Sequence, residues 1–504
     1  MLSPLPSSKW NYTTAAHLLN RAGFGGTPAE IQKLLKLGPE KAVSYFVDYE
    51  KISDATTPPD WAKPDPDREE MFREYRKMEM ESRGTTTDEA KRKELGEKRR
   101  ELFQKQQRDQ FLHIMELRGW WIERMAKGPR PLQEKMVLFW HGHFATSAQK
   151  VRNAYFMWKQ NEIFRSMASG NWLQMLEAVA KDPAMLIWLD QAQSRKQHPN
   201  ENFAREVMEL FTLGEGHYTE KDVAEAARAM TGWTLDRLTE EYEYRDQMHD
   251  DGTKTFLGKT GELTGKEVLQ LIVAQPQAAR FITAKLWRFF ASENPDPKLI
   301  DALAEVFRKS GNNFKPLLHA MFRSREFYSD DVIRTQVKSP VQWLVGSVRM
   351  LDRDLPPPVV SSQLLKNIGQ DLLLPPNVKG WDGGLSWITT NNLLNRYNQA
   401  ALLVMAENKM AADGQGIGKR IAERANQMAQ RMHAVDINKI VTPEERRKKE
   451  TLIAALEKRF LQAKLKDKQR KVLIEYLDSR GELDDQDVRH TIRLLMSTPE
   501  YQVT

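Results

Sequence analysis

Between Pro199 and Trp233 the chain reads PNENFAREVMELFTLGEGHYTEKDVAEAARAMTGW, with apolar positions recurring at helical spacing. At about 100° per residue, Phe203, Val207, Leu210 and Phe211 cover one side of a helix, and Asn202, Arg205, Glu206 and Glu209 fall on the other. Gly214 and Gly216 end that helix. Thr219, with Asp222 three residues on, makes a capping-box-like restart, and Val223, Ala226, Ala227 and Met230 form the apolar stripe of a second helix. The pattern recurs elsewhere. AAHLLNRAGFGGTPAEIQKLL puts His17 and Arg21 on one helical face, then a glycine-rich turn, then Thr27-Pro28 as N-cap and first turn of another helix. Ser339-Pro340 and Thr442-Pro443-Glu444-Glu445 are further helix starts. The periodicity predicts an all-α protein: a large multi-helical domain over residues 1–405 and a helical C-terminal extension over 406–504 packed on the same body.

Three stretches interrupt this pattern. Residues 67–110, after the Pro58–Pro66 linker, are very highly charged, with Met71, Phe72, Tyr75 and Met78 at helical spacing. They predict a projecting helical hairpin, broken near Arg83-Gly84-Thr85, that serves as a solvated arm or, for a scaffold protein, as a docking surface together with the basic tail. The core pattern resumes at Phe111 and includes Trp120, Trp121 and Met125. Residues 236–262 are less regular. GQDLLLPPNVKGWDGG, starting at Gly369, is dense in turn formers and reads as an ordered loop over the core, a candidate lid or rim.

Composition narrows the chemistry. The absence of cysteine excludes disulfides, thiolate metal sites and cysteine nucleophiles, leaving His, Asp, Glu and water as metal ligands. A net charge of +7 spread over 504 residues is a weak field, which argues against nucleic acid as a partner. No apolar run approaches the ~20 residues of a membrane span. The opening MLSPLPSSKWNYTT lacks the basic and apolar regions of a signal peptide, which predicts a cytoplasmic chain unless a partner carries it across a membrane.

Candidate chemistry concentrates in a few segments. In KMVLFWHGHFATS, His141 and His143 are two apart, about 160° around a helix, so both face one site only if the chain leaves the helix at Gly142. The alternative is one histidine satisfied in the core beside Trp140 and Phe144, with the other at a helix end. HDDGTK contains His249, Asp250 and Lys254, which suit either ligands and a base or an ordinary turn. Lys285, in an apolar setting, reads as a snorkelling lysine.

Together these suggest a metal-assisted hydrolase. His141 and His143 would hold a divalent metal with His249, Asp250 or one of Glu206 and Glu209, and the remaining carboxylate would be general base. Arg205 or Lys254 would bind an anionic substrate, with His17, Arg21 and Asn202 as further substrate contacts. The competing reading makes Arg205 with Glu206 and Glu209, and Lys254 with Asp250, structural ion-pair networks.

The segments HLLNRAGFG, KMVLFWHGHFATS, DPAMLIWLDQAQ, PNENFAREVMELFTLG, YTEKDVAEAARAMTGW, HDDGTKTFLG, VKSP and GQDLLLPPNVKGWDGG follow one another over about residues 15–405. In this they resemble the large bacterial family of domain of unknown function 1800. The resemblance implies that His17, Arg21, His141, His143, Asp190, Asn200, Glu201, Asn202, Arg205, Glu206, Glu209, His249, Asp250 and Lys254 stand at the family's characteristic polar positions. Phe211 stands where many relatives have histidine, Ser194 where asparagine is usual and Gln275 where a His-Pro pair is usual. The resemblance also implies a partner, a sulfatase-like or alkaline-phosphatase-like protein of domain of unknown function 1501, for which this chain would be a non-catalytic scaffold if it is not an enzyme.

Overall fold

The helix Pro131–His143 is buried at every position from Leu132 to His141, so it has no solvent face and needs no amphipathic stripe. Its polar side chains are matched internally. Glu134 accepts from Arg124 at 2.9 Å and from Arg165 at 2.8 and 3.0 Å, and Lys135 donates to the Gly23 carbonyl at 2.9 Å. Around this helix pack Pro28–Val47, Glu89–Lys127 and Ala154–Ser166, and Phe139 meets Phe289 of the helix Pro276–Phe290.

The computed structural model describes residues 2–64, 68–84, 89–236, 239, 241–407 and 417–504. Helices make up 64% and strands 4%, which makes the protein all-α as the periodicity predicts. One apolar core runs from Leu5 to Tyr501. The C-terminal region shares it: Asp485–Met496 packs along Thr390–Met405, and Val503 bridges Val337. No helix among the described residues is long and apolar enough to cross a membrane.

The helix starts follow local chemistry. Thr27 with Glu30, Thr219 with Asp222, Ser339 with Gln342 and Thr442 with Glu445 all form capping boxes. The last opens only a single turn, Pro443–Arg446, before the chain restarts as Lys449–Leu456.

Two expectations change. The charged region pairs Arg68–Gly84 with Glu89–Lys127, and Lys98 lies 3.8 Å from Glu74 across the hairpin. Its second helix, however, continues unbroken for 39 residues into the core rather than ending where the apolar pattern resumes. Met78 is buried, whereas Thr85 and the side chains of Met71, Phe72 and Tyr75 lie outside the described residues. The irregular stretch also holds two small hairpins, Trp233–Leu235 with Tyr242–Tyr244 and Lys254–Phe256 with Lys259–Gly261.

Candidate functional site

The helix Glu201–Glu206 starts on Asn200, whose side chain accepts from the Phe203 amide at 3.3 Å. After Glu206 its repeat widens into a π-helical turn, Val207–Thr212. The Thr212 hydroxyl donates to the Val207 carbonyl at 2.6 Å and the Leu213 amide to Met208 at 2.8 Å. The carbonyls at the end of the turn point to distant side chains instead of to helical amides. Lys285 donates to Leu210 at 2.8 Å, His143 to Phe211 at 3.0 Å and Gln277 to Leu213 at 2.9 Å. π-turns are rare and concentrate at functional sites.

Those bonds fix the protonation of His143. A ring nitrogen facing a carbonyl must donate, so the proton is on Nε2, and Nδ1 accepts from Lys285 at 3.3 Å. Burial, then the Lys285 charge, holds the imidazole pKa well below its usual value. Burial, then nearby Arg288, pushes Lys285 down to about 8. Its ammonium lies 4.8 Å from the centre of the Phe281 ring.

Glu206 and Glu209 stand half-buried on the outer side of this turn. Glu209 accepts from the Tyr218 hydroxyl at 2.9 Å. Glu206 has no hydrogen-bond or ion-pair partner among the described residues; partial burial, then the adjacent Glu209 charge, raises its pKa, opposed by Lys379 and Arg205. Lys379 belongs to the turn-rich loop after Gly369, which here packs against the end of the helix Pro131–His143. Gly380, at φ +86°, comes so close that a Cβ would stand 2.3 Å from the Gly142 carbonyl oxygen.

Of the residues picked out from sequence, Glu206, Glu209 and His143 gather around the π-turn. Asn202 is exposed beside them, and Arg205 forms a two-bond pair with Glu220 at 2.7 and 2.6 Å. The remaining residues go elsewhere. The helix runs through Gly142 to His143, so His141 leaves it on a different side; its Nε2 accepts from Asn161 at 2.9 Å and its ring rests on Trp121. Burial, then Arg165, pushes His141 down to about 3. Both imidazole lone pairs are thus occupied by donors, and the two rings do not form one ligand set.

His249 bonds the Thr231 carbonyl at 3.0 Å, Asp250 is gripped by Arg228 at 2.8 and 3.1 Å, and Lys254 donates to the carbonyls of Asp250 and Gly252. That group is a loop clamp. His17 bonds the Phe327 carbonyl at 3.0 Å, and Arg21, fully buried, donates to Val332 at 2.9 Å and Thr504 at 2.7 Å. Among the described residues no three His, Asp or Glu side chains come together as a metal site.

Near His141, Gln160 donates to Asp182 at 2.7 Å, and Asp182 caps the helix Pro183–Trp188 through the Met185 amide at 3.0 Å. Full burial pushes this carboxyl up to about 7.

Sequence reasoning missed Tyr218, Gln277 and Lys379, and it assigned Lys285 to the surface. The signal for Lys285 was present: an ammonium one turn after Phe281, in an apolar setting, has to find an acceptor or lose its charge. Comparison with curated proteins and with solved structures finds no match. The model of the family described as "Protein of unknown function (DUF1800)" matches residues 17–503, past the expected boundary at 405 and through the C-terminal helices, and the chain belongs to that family.

Proposed function

We propose that the protein is a hydrolase-type enzyme whose acid–base pair is Glu206 and Glu209, acting on a polar or anionic substrate. The observation that carries this is the asymmetry of the two carboxyls. Glu209 is fixed by Tyr218, while Glu206 is half-buried, free of protein partners among the described residues and raised in proton affinity by burial and by its neighbour. A carboxyl of raised proton affinity beside one anchored as an acceptor offers an acid and a base in one site. Lys379 provides the positive charge for an anionic group. With both carboxyls ionised, the same pair offers only oxygen donors, which would suit Mg²⁺ or Mn²⁺, and in that state neither serves as the acid.

The test is hydrolysis of chromogenic phosphate, sulfate and carboxyl esters, with and without Mg²⁺ or Mn²⁺, by wild type, Glu206→Gln and Glu209→Gln. Loss of about 100-fold or more in kcat in each variant is expected. Equal rates in all three proteins, or no turnover by wild type, would overturn the proposal.

A second reading, a non-catalytic partner for the sulfatase-like protein of domain of unknown function 1501, is favoured by an exposed apolar patch. Leu393, Leu394 and Tyr397 on the helix Thr390–Met405 are 40, 57 and 39% exposed, with Leu385 at 76% close by in sequence. Co-purification that is lost in Leu394→Asp and kept when residues 67–110 are deleted would place docking here rather than on the charged arm.

A further inference from the structure

Beside His217, the helix Pro276–Phe290 and the start of Pro297–Lys309 border a groove of about 330 Å³. Phe281, Pro295 and Pro297 form its apolar wall, and Arg280, Arg288 and His217 supply its polar edge; among the described residues no acidic side chain lines it. Arg280 is paired with Asp301 at 2.5 Å. Arg288 uses only its Nε, on the Glu293 carbonyl at 3.3 Å, and its two terminal nitrogens have no partner among the described residues. His217 is exposed and likewise has none. The volume falls at the small end of ligand sites, enough for one ring and its substituent.

We propose that this groove binds an organic oxyanion: an apolar body, seated against Phe281 and the two prolines, carrying a carboxylate or phosphoryl group held by the Arg288 fork and His217. A guanidinium with two unused, coplanar N–H donors matches the paired oxygens of such a group. The apolar wall excludes a bare inorganic ion as the preferred ligand, because that ion leaves the wall uncovered. Binding in this groove is independent of any chemistry at Glu206 and Glu209.

Calorimetric titration with phenyl phosphate, benzoate and inorganic phosphate tests it. At least one of the aromatic anions is expected to bind saturably, with inorganic phosphate about tenfold weaker or more. Arg288→Ala should weaken the aromatic anion by about tenfold or more and Arg288→Lys by less. In wild-type protein, the ring resonances of His217 should shift on adding phenyl phosphate, a readout that needs no variant. The proposal is overturned if neither aromatic anion saturates, if Arg288→Ala binds as wild type does, if inorganic phosphate binds as tightly as phenyl phosphate, or if the His217 signals stay in place.

Discussion

Gly380 and Gly142 meet backbone to backbone: a Cβ on Gly380 would stand 2.3 Å from the Gly142 carbonyl oxygen. This contact holds the turn-rich loop on the end of the central helix and brings Lys379 within electrostatic reach of Glu206. Gly380→Ala therefore meets two penalties, a positive φ and a clash with immobile backbone. It should cost roughly 2–4 kcal/mol, read as a lowered thermal midpoint with faster amide exchange over 377–384. Gly383 is the control. It has φ +77° and ψ −169° but nothing within 4 Å of its added Cβ, so Gly383→Ala should cost about 1–3 kcal/mol from backbone strain alone. Equal losses would show that the contact is unimportant.

Lys285 ties the π-turn to the helix Pro276–Phe290 at the expense of a partly desolvated charge. Its pKa is pushed down to about 8 from 10.5, so between those values the unfolded chain holds a proton that the folded chain has released. Stability contributed by this group must rise with pH across that window and be lowest below it. Lys285→Met should abolish this rise and leave the Leu210 carbonyl without its donor, so the stability of the variant relative to wild type should fall between pH 7 and pH 10.5. A difference between the two proteins that does not vary with pH would refute the assignment.

Asp182 behaves oppositely. Between 3.8 and about 7 the unfolded chain has lost the proton that the folded chain keeps, so the group's contribution to stability falls as pH rises. Asparagine preserves the cap and cannot ionise. Asp182→Asn should match wild type near pH 4 and exceed it by roughly 2–4 kcal/mol at pH 8, measured by denaturant unfolding at both pH values.

The Arg228 clamp on Asp250 holds a loop in place. Asp250→Ala should lose about 1–2 kcal/mol and loosen residues 246–261 in hydrogen exchange, with no change in the binding of any divalent metal. A fall in metal affinity would restore the ligand role first read from the HDDGTK segment.

What could be read from sequence was local. Thr27-Pro28 or Thr219 with Asp222 decides a helix start from a few consecutive residues, and both helices start there. The apolar stripe of Val223, Ala226 and Ala227 is buried as the spacing requires. What escaped depended on distance along the chain. The π-turn at Val207 is stabilised by donors from His143 and Lys285, 68 and 75 residues away from the carbonyls they meet, and no local pattern announces them. The spacing of His141 and His143 allows either a shared site or separate places in the core and at a helix end. Only the unbroken helix through Gly142, with separate partners for each ring, shows them serving different neighbours.

The helix Glu89–Lys127, at 39 residues and 1.5 Å per residue, is a rod about 58 Å long. Its outer part is solvated, and its inner part carries Trp121, whose ring rests on His141. Between them Gly119 lies against Pro358, so close that a Cβ would stand 2.4 Å from the proline side chain. No larger residue fits at 119 without moving either the rod or the helix Pro358–Asn367, so this one glycine sets how closely the rod seats on the core.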